Sequence, residues 1–168
     1  MNVRPVLSLR FLRWADAWFC WRLARDPEVR RWSVDPKPPT PLGHWRWMRR
    51  YLYDVAPRPS AVVLTVDGRP AGLLTLRPYR DGFAVGISFL PIYRGHGYGA
   101  HLLATVRRHV TPFTASPLYA LIKSGNVASR AAFARAGFLP SGTADDGLLL
   151  YVSRVRSVAV PLAGIPCS

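Results

Sequence analysis

Three glycines lie close together in the segment FLPIYRGHGYGAHLL, directly after an apolar run, and their spacing is suited to holding a phosphate. Gly95, Gly97 and Gly99 let the backbone approach a ligand closely and adopt dihedral angles that other residues avoid. The pattern predicts a helix from about Gly99, whose first turn offers unpaired N–H groups and the positive end of the helix dipole. The backbone of this segment could therefore hold an anion without using any side chain.

A second segment, NVASRAAFARAGF, forms the next predicted helix, with Asn126 and Ser129 at its start. The glycine spacing does not match two common nucleotide-binding motifs, the P-loop and the dinucleotide-binding motif. No Lys followed by Ser or Thr comes after the glycines, as a P-loop requires. Tyr119, Ala120 and Leu121 stand where a dinucleotide-binding fold places an acid. The glycine segment and the Asn126 segment together are more specific than the glycines alone.

The elements around these segments predict one α/β (α+β) domain over residues 1–155, with a tail at 156–168. Asp67-Gly68 predicts a hairpin turn, and the prolines between residues 33 and 41 predict an extended loop. Helices after the fourth and fifth strands predict parallel pairing there, whereas the hairpin predicts antiparallel pairing earlier, so the sheet should be mixed. The predicted strands are 6–12, 60–66, 70–77, 83–90, 118–123 and 148–155, and the predicted helices are 14–25, 42–53, 99–108 and 127–136.

The charge balance of the chain limits its partners. The net charge is +14, with 23 basic residues, all arginine except Lys37 and Lys123, against nine acidic residues. This excess has two interpretations, an anionic partner or a compositional preference for arginine. So few carboxylates argue against a polycationic substrate such as an aminoglycoside, which would need an acidic pocket. The arginines are scattered and form no recognisable nucleic-acid-binding module, so we expect no nucleic-acid partner.

Neither a membrane nor a metal is an expected partner. No apolar stretch nears the ~20 residues needed to span a membrane. Arg10, Arg13 and Asp16 interrupt the first apolar stretch, so we predict a cytoplasmic protein without a signal peptide. Cys20 and Cys167 stand at opposite ends of the chain and indicate neither a disulfide framework nor a metal-ligand cluster.

The segment from Arg94 to Ala100 resembles the pyrophosphate-binding motif Arg/Gln-x-x-Gly-x-Gly/Ala of the GNAT superfamily, the acyl-CoA-dependent N-acyltransferases. The Asn126 segment is similar to the second signature of that superfamily. Residues 26–31 and His44-x-x-Trp47 resemble the N-terminal part of the branch that contains ribosomal-protein N-terminal acetyltransferases and amino-sugar acetyltransferases. The resemblance covers residues 6 to about 153. It implies the GNAT fold, a single mixed sheet splayed between its fourth and fifth strands and flanked by about four helices.

The resemblance also implies where acetyl-CoA, the acyl donor, would bind. Its acyl amide would lie in the splay beside the backbone of the fourth strand. Its pyrophosphate would meet the backbone amides of residues 94–99, which we call the glycine loop, and Arg94 could add a charge-assisted bond to phosphate. The implied donor-binding residues are Phe89, Leu90, Arg94, Gly95, His96, Gly97, Tyr98, Gly99, Asn126, Ser129 and Phe133.

The catalytic groups stay open at this stage. Some members of the superfamily have a tyrosine acid seven residues after the motif asparagine, where this chain has Phe133, and the fourth strand holds no Asp or Glu. Either another group serves or the chemistry needs little help. His44 is the one titratable group of suitable pKa in the segment expected to line the acceptor site, so we predict it as a catalytic candidate. Ser88 and Tyr151 are fallback candidates, and all three could instead be structural.

The acceptor pocket should form from the loop at 32–41, the helix at 42–53 and the fourth strand. Arginines and aromatic residues there could clamp a diphosphate or stack on a sugar or base. The predicted acceptor-binding residues are Arg30, Arg31, Trp32, Trp47 and Tyr51, with Trp45 and Arg46 beside them. An α-amine with a pKa near 8 is roughly a tenth neutral at pH 7, which costs about 1.4 kcal/mol, whereas a lysine costs about 4 to 5. Without a carboxylate base, the less basic amine is favoured.

These inferences predict an acetyl-CoA-dependent N-acetyltransferase that acts, as a monomer or homodimer, on a primary amine of a small molecule. A nucleotide-activated amino sugar is the preferred acceptor. One alternative is N-terminal acetylation of a protein or peptide, and another is a GNAT-like domain that binds CoA without catalysis. Turnover of acetyl-CoA separates these possibilities.

Overall fold

The computed structural model describes residues 5–54, 60–110, 116–144 and 146–153. Within these residues, seven strands form one mixed sheet in the spatial order β1-β2-β3-β4-β5-β7-β6. The strands are β1 (Leu7–Phe11), β2 (Ala61–Val66), β3 (Arg69–Tyr79), β4 (Gly82–Phe89), β5 (Leu118–Ile122), β6 (Leu139–Thr143) and β7 (Leu149–Ser153). The predicted tail at 156–168 lies outside the described residues.

Five α-helices of the described chain accompany the sheet, one more than predicted. They are α1 (Ala17–Arg25), α2 (Pro27–Trp32), α3 (Pro41–Arg49), α4 (Tyr98–Val110) and α5 (Val127–Arg135). The additional helix is α2. The helix predicted at 14–25 ends before Asp26-Pro27 and no helix was predicted after it, but the Asp26 side chain accepts a hydrogen bond from Val29 N at 3.0 Å and caps a new helix. Pro27 suits the first turn of α2 because its missing N–H would have no partner there.

The predicted splay between the fourth and fifth strands is confirmed. β4 and β5 pair in parallel only at Phe83↔Leu118 and Ala84↔Tyr119. Beyond these pairs β4 runs on to Phe89 and β5 to Ile122 without pairing with each other. The β4 edge therefore keeps backbone N–H and C=O groups that no neighbouring strand uses.

The last two strands correct the predicted pairing. β7 pairs with β5 in antiparallel register, with Leu118 opposite Ser153, and not in parallel. The reason is β6, which the sequence analysis did not identify. Helix α5 leads into β6, and β7 then returns between β5 and β6. β6 contains Pro140 and Gly142 and is exposed along its whole length, so it shows no alternating apolar pattern.

The two faces of the sheet carry separate apolar cores. Leu73 and Leu74, neighbours on β3, belong to opposite cores. One core contains residues of α4 and α5, including Leu102 and Phe133, and the other contains residues of α1 and α3, including Met48. The predicted hairpin between β2 and β3 is confirmed, with φ of 48° at Asp67 and 75° at Gly68. None of the helices in the described residues is long and apolar enough to span a membrane.

Candidate functional site

The splay opens into a cleft of ≈ 610 Å³ that runs along β4. One wall consists of the glycine loop, the start of α4 and the inner face of α5, and we call it the loop side. The opposite wall consists of residues from α1, α2, α3 and β3, and we call it the α2 side. An extended ligand could pair with the free edge of β4 between these walls, as peptides do at open sheet edges.

The glycine loop has the geometry that anion binding requires. Gly95 and Gly97 both adopt φ of 78°, which disfavours other residues, and a Cβ atom built on either would meet nothing within 4 Å. Empty space therefore stands in front of both residues, where a ligand can approach the backbone. The first turn of α4, which starts at Tyr98, adds amides without intrahelical partners. Gly99 differs, because a Cβ there would contact Ile87 at 3.4 Å and Ala132 at 3.5 Å.

The side chains of the loop and of α5 support this wall. Ser129 N donates to Asn126 Oδ1 at 3.1 Å, so the Asn126 side chain caps α5. Phe133 is buried and packs edge-on against Phe138, with 4.9 Å between ring centroids. His96 is exposed, does not line the cleft, and stacks on Tyr98 at 5.5 Å. Of the predicted donor-binding residues, all but Leu90 and His96 line the cleft.

Arg94 begins the glycine loop, yet its guanidinium is bonded within the protein. Nε donates to the carbonyl of Phe89 at 3.0 Å, and Nη2 donates to Asp26 Oδ1 at 2.6 Å. The side chains are 31% and 12% exposed for Arg94 and Asp26 respectively, so solvent screens the pair only in part. These bonds use two of the five guanidinium N–H donors and fix the orientation of the Arg94 side chain toward Asp26 and the end of β4.

The α2 side is cationic and aromatic. Of the described residues that line the cleft, the basic ones on this side are Arg30 and Arg77 and the acidic one is Glu28, while Arg94 and Arg135 belong to the loop side. The Glu28 carboxylate is already engaged, because Trp32 Nε1 donates to its Oε1 at 2.7 Å. Trp47 and Tyr51 of the neighbouring helical segment line the same wall, with 4.6 Å between their rings.

Arg30 has an unusual environment within this wall. Its Nη1 donates to the carbonyls of Asp35 and Lys37, both at 3.2 Å, which holds the guanidinium against the proline-rich loop. Its Nε is buried and has no hydrogen-bond partner among the described residues. Burial lowers the pKa of the Arg30 guanidinium from its ordinary value, and the carboxylate of Asp35 opposes that effect. A partly desolvated cation that lines the cleft favours an anionic ligand.

Besides Leu90 and His96, the predicted residues that do not line the cleft are His44, Tyr151, Arg31, Trp45 and Arg46. His44 is buried, its Nε2 lies 2.9 Å from the Ala17 carbonyl, and its ring packs between Trp21 and Trp47. Tyr151 is buried in the core under α4 and α5. Arg31 is exposed and its guanidinium lies over the Trp32 ring at 4.8 Å. The structure thus gives His44 and Tyr151 packing positions, and of the three catalytic candidates it brings only Ser88 to the cleft.

The sequence analysis did not identify several lining residues. Thr75 and Arg77 of β3 face the cleft because they stand opposite Gly86 and Ala84 of β4. The hairpin register that follows from the β3–β4 turn could have found them. Cys20 also lines the cleft, and burial raises the pKa of its thiol to about 12, which keeps it protonated. No group of three potential metal ligands from His, Cys, Asp and Glu occurs in the described part of the chain.

Known proteins share this architecture. The family model described as an acetyltransferase (GNAT) domain matches residues 7–139 of the chain. The fold is similar to yncA of Salmonella typhimurium, solved with acetyl-CoA (TM-score 0.72, 18% identity, 95% of this chain and 99% of that one). It is similar to spermidine N-acetyltransferase from Vibrio cholerae, solved with CoA and spermine (0.71, 16%, 87% and 92%). It is also similar to aminoglycoside acetyltransferase AAC(6')-Ib, solved with coenzyme A (0.70, 17%, 88% and 93%). No curated protein sequence matches the chain significantly.

Proposed function

This chain belongs to the GNAT acetyltransferase family, and we propose that it transfers an acetyl group from acetyl-CoA to a primary amine of a small anionic molecule. A nucleotide-activated amino sugar is the preferred acceptor, and the branch with amino-sugar and ribosomal-protein acetyltransferases is the preferred relationship. The observation that carries the acceptor assignment is the α2 side of the cleft, which Arg30 and Arg77 line, with Glu28 as the acidic residue among the described lining residues.

The loop side supports the donor assignment. The open space at Gly95 and Gly97 and the amides of the first turn of α4 suit the pyrophosphate of acetyl-CoA. The free edge of β4 suits the amides of its pantetheine arm, which can pair as an added strand would. Solved GNAT-fold proteins with CoA or acetyl-CoA bound support the same assignment. Acetyl-CoA supplies the activated acetyl group in the form of a thioester.

The described cleft offers little general-base catalysis. Glu28 is held by Trp32, and His44 lies in the core. The acceptor amine would therefore attack the thioester carbonyl in its neutral form. A C–N bond forms, the C–S bond breaks, and the amine loses a proton as the thiolate leaves or is protonated. The contribution of the protein is orientation of the two substrates along the β4 edge, where Ser88 lines the cleft and is the candidate positioning group.

The α2 side supports an acceptor with an acidic group. The guanidinium groups of Arg30 and Arg77 can donate hydrogen bonds to a phosphate or carboxylate. The rings of Trp47 and Tyr51 can contact a sugar or base. The same wall opposes polycationic acceptors, because it would set a spermine or an aminoglycoside against Arg30 and Arg77, with Glu28 as the one carboxylate among the described lining residues. This distinguishes the chain from the spermidine and aminoglycoside acetyltransferases that share its fold at 16–17% identity.

Thiol release from acetyl-CoA, measured against a panel of acceptors, tests the proposal. The panel contains nucleotide-linked amino sugars, free amino sugars, short peptides, spermine and kanamycin, with CoA binding measured by calorimetry. We expect turnover with the sugar nucleotides and none with the polycations. Turnover with peptides alone would keep the enzyme and replace its acceptor by a protein N-terminus. CoA binding without any turnover would favour a non-catalytic domain, and a failure to bind CoA would refute the donor site.

A further inference from the structure

Helix α2 is bonded at both ends to the two segments assigned to the donor. At its N-terminal cap, Asp26 Oδ1 accepts from Val29 N at 3.0 Å and from Arg94 Nη2 of the glycine loop at 2.6 Å. At its C-terminal end, the Arg31 carbonyl accepts from Lys123 Nζ at 2.9 Å. Lys123 directly follows β5 and leads to Asn126 and α5. The short helix, which belongs to the α2 side, is therefore bonded at both ends to segments of the loop side.

A packing contact adds to the bridge at the same end of α2. A Cβ atom built on Gly125 would lie 3.4 Å from Trp32 Cη2, so the indole already covers the turn before α5. Trp32 is fixed in turn by its bond to Glu28, one turn earlier on α2. The orientation of the acceptor wall, including Arg30, is thus set by contacts with the glycine loop and with the β5–α5 turn.

The bonds of Arg94 indicate what its side chain does. Nη2 reaches Asp26 and Nε reaches the Phe89 carbonyl at the end of β4, so one guanidinium joins α2 to the strand that would hold the thioester. A charge-assisted pair of 2.6 Å between partly buried side chains is among the stronger polar contacts in the described chain. Breaking it to reach a phosphate would leave Asp26 without a cationic partner close to an incoming anion.

We propose that Arg94 and Asp26 are positioning residues, which fix α2 and its acceptor-binding side chains against the end of β4, and that Arg94 is not a ligand of the pyrophosphate. The inference rests on the proposed function. A positioning role and a phosphate-binding role for Arg94 predict different effects. A positioning role affects binding of the acceptor, whereas a phosphate-binding role affects binding of CoA. Loss of the ion pair should loosen the acceptor wall and leave the donor site nearly unchanged.

Asp26→Asn isolates the ion pair, because asparagine caps a helix as well as aspartate does and so keeps an acceptor for Val29 N. Asp67→Asn is the matched control, since Asp67 also accepts a backbone N–H, from Val6 at 2.9 Å, in the β2–β3 turn, which does not line the cleft. Arg94→Gln removes the other partner. We expect Asp26→Asn and Arg94→Gln each to raise the acceptor KM about fivefold or more, with the CoA dissociation constant within twofold of the wild-type value.

The double variant is expected to be no worse than either single variant, because both lose the same contact. A tenfold weakening of CoA binding in Arg94→Gln, without one in Asp26→Asn, would overturn the inference and make Arg94 a phosphate ligand. An unchanged acceptor KM in Asp26→Asn would also overturn it.

Hydrogen exchange tests the bridge without any substrate. We expect Asp26→Asn to speed amide exchange in residues 28–32 and to leave the glycine loop near the wild-type rate, and Asp67→Asn to leave both segments at the wild-type rate. Equal exchange in the two variants would show that α2 does not depend on the pair and would overturn the inference. A wild-type protein that binds no CoA would instead refute the proposed function, and the exchange result would still decide the bridge.

Discussion

Gly97→Asp tests the donor site most directly, because its effect can be separated into backbone strain and charge. Gly97 adopts φ of 78°, and nothing stands within 4 Å of a Cβ built there, so a new side chain would enter the space assigned to the pyrophosphate. A left-handed conformation costs a non-glycine residue about 1 kcal/mol. This strain lowers the free energy of unfolding but does not by itself act on the ligand.

The charge of the new side chain acts on the ligand. A carboxylate ~6 Å from a phosphate charge is repelled by about 0.7 kcal/mol at a dielectric constant of 80 and by about 2.8 kcal/mol at 20. A pyrophosphate with two such charges at a partly exposed loop should lose about 2 to 3 kcal/mol, which corresponds to roughly 30- to 150-fold weaker CoA binding. Raising the salt concentration to 1 M should remove most of this loss.

Two controls make the result decisive. Gly97→Asn has nearly the same shape without the charge, so it carries the strain and the crowding of the pyrophosphate, and CoA calorimetry should place Gly97→Asp well below it because of the charge alone. Gly68→Asp introduces the same residue at φ of 75°, also with nothing within 4 Å, in the β2–β3 turn, which does not line the cleft. It should carry the strain and bind CoA normally. If Gly97→Asp binds CoA within threefold of Gly97→Asn at low salt, the assignment of the pyrophosphate to this loop is refuted.

Three further predictions concern stability, the buried thiol and the pH profile. Asp16→Asn should lower the free energy of unfolding by about 2 kcal/mol in thermal melts, because it breaks a pair with Arg10 at 2.6 and 2.7 Å whose carboxylate is 4% exposed; a change under 0.5 kcal/mol would contradict this. In a Cys167→Ser background, Cys20 should resist iodoacetamide at pH 8 until the protein unfolds, since burial raises its pKa from 9.0 to about 12. The unfolded thiol ionises first, so this contribution to stability is complete below pH 9 and falls as pH rises toward 12, and a flat urea midpoint across that range would argue against it. The kcat/KM for the acceptor should rise tenfold per pH unit up to the pKa of the acceptor amine and shift with that pKa among acceptors, whereas an inflection common to all acceptors would reveal an enzyme base.

Much of the fold could be predicted from the sequence because its signals are local. Positive φ at the loop glycines and a helix start directly after them depend on a few adjacent residues, and so does the turn at Asp67-Gly68. The splay followed only from the resemblance, not from periodicity. β6 was missed because its exposed residues show no alternation, and α2 was missed because the same Asp26-Pro27 pair that ends one helix also begins another.

In the candidate site too, local features could be predicted from the sequence, whereas contacts between distant elements could not. The backbone of residues 94–99 can be assigned from sequence, since anion binding by glycines and a helix N-terminus needs no distant partner. The placement of His44 could not, because its partner Ala17 belongs to another helix and its helical periodicity is the same in a core or a cleft.

Arg94 shows most clearly what only the tertiary structure decided. The sequence places this arginine at the start of the glycine loop, where a phosphate is the nearest expected anion. The folded chain brings Asp26, 68 positions earlier, within 2.6 Å of its guanidinium. A flexible cation binds whichever anion the fold brings within reach, and that choice depends on packing between elements far apart in sequence. The sequence by itself predicts where backbone amides could hold an anion. The tertiary structure determines which side chains line the cleft and are available to contact an acceptor.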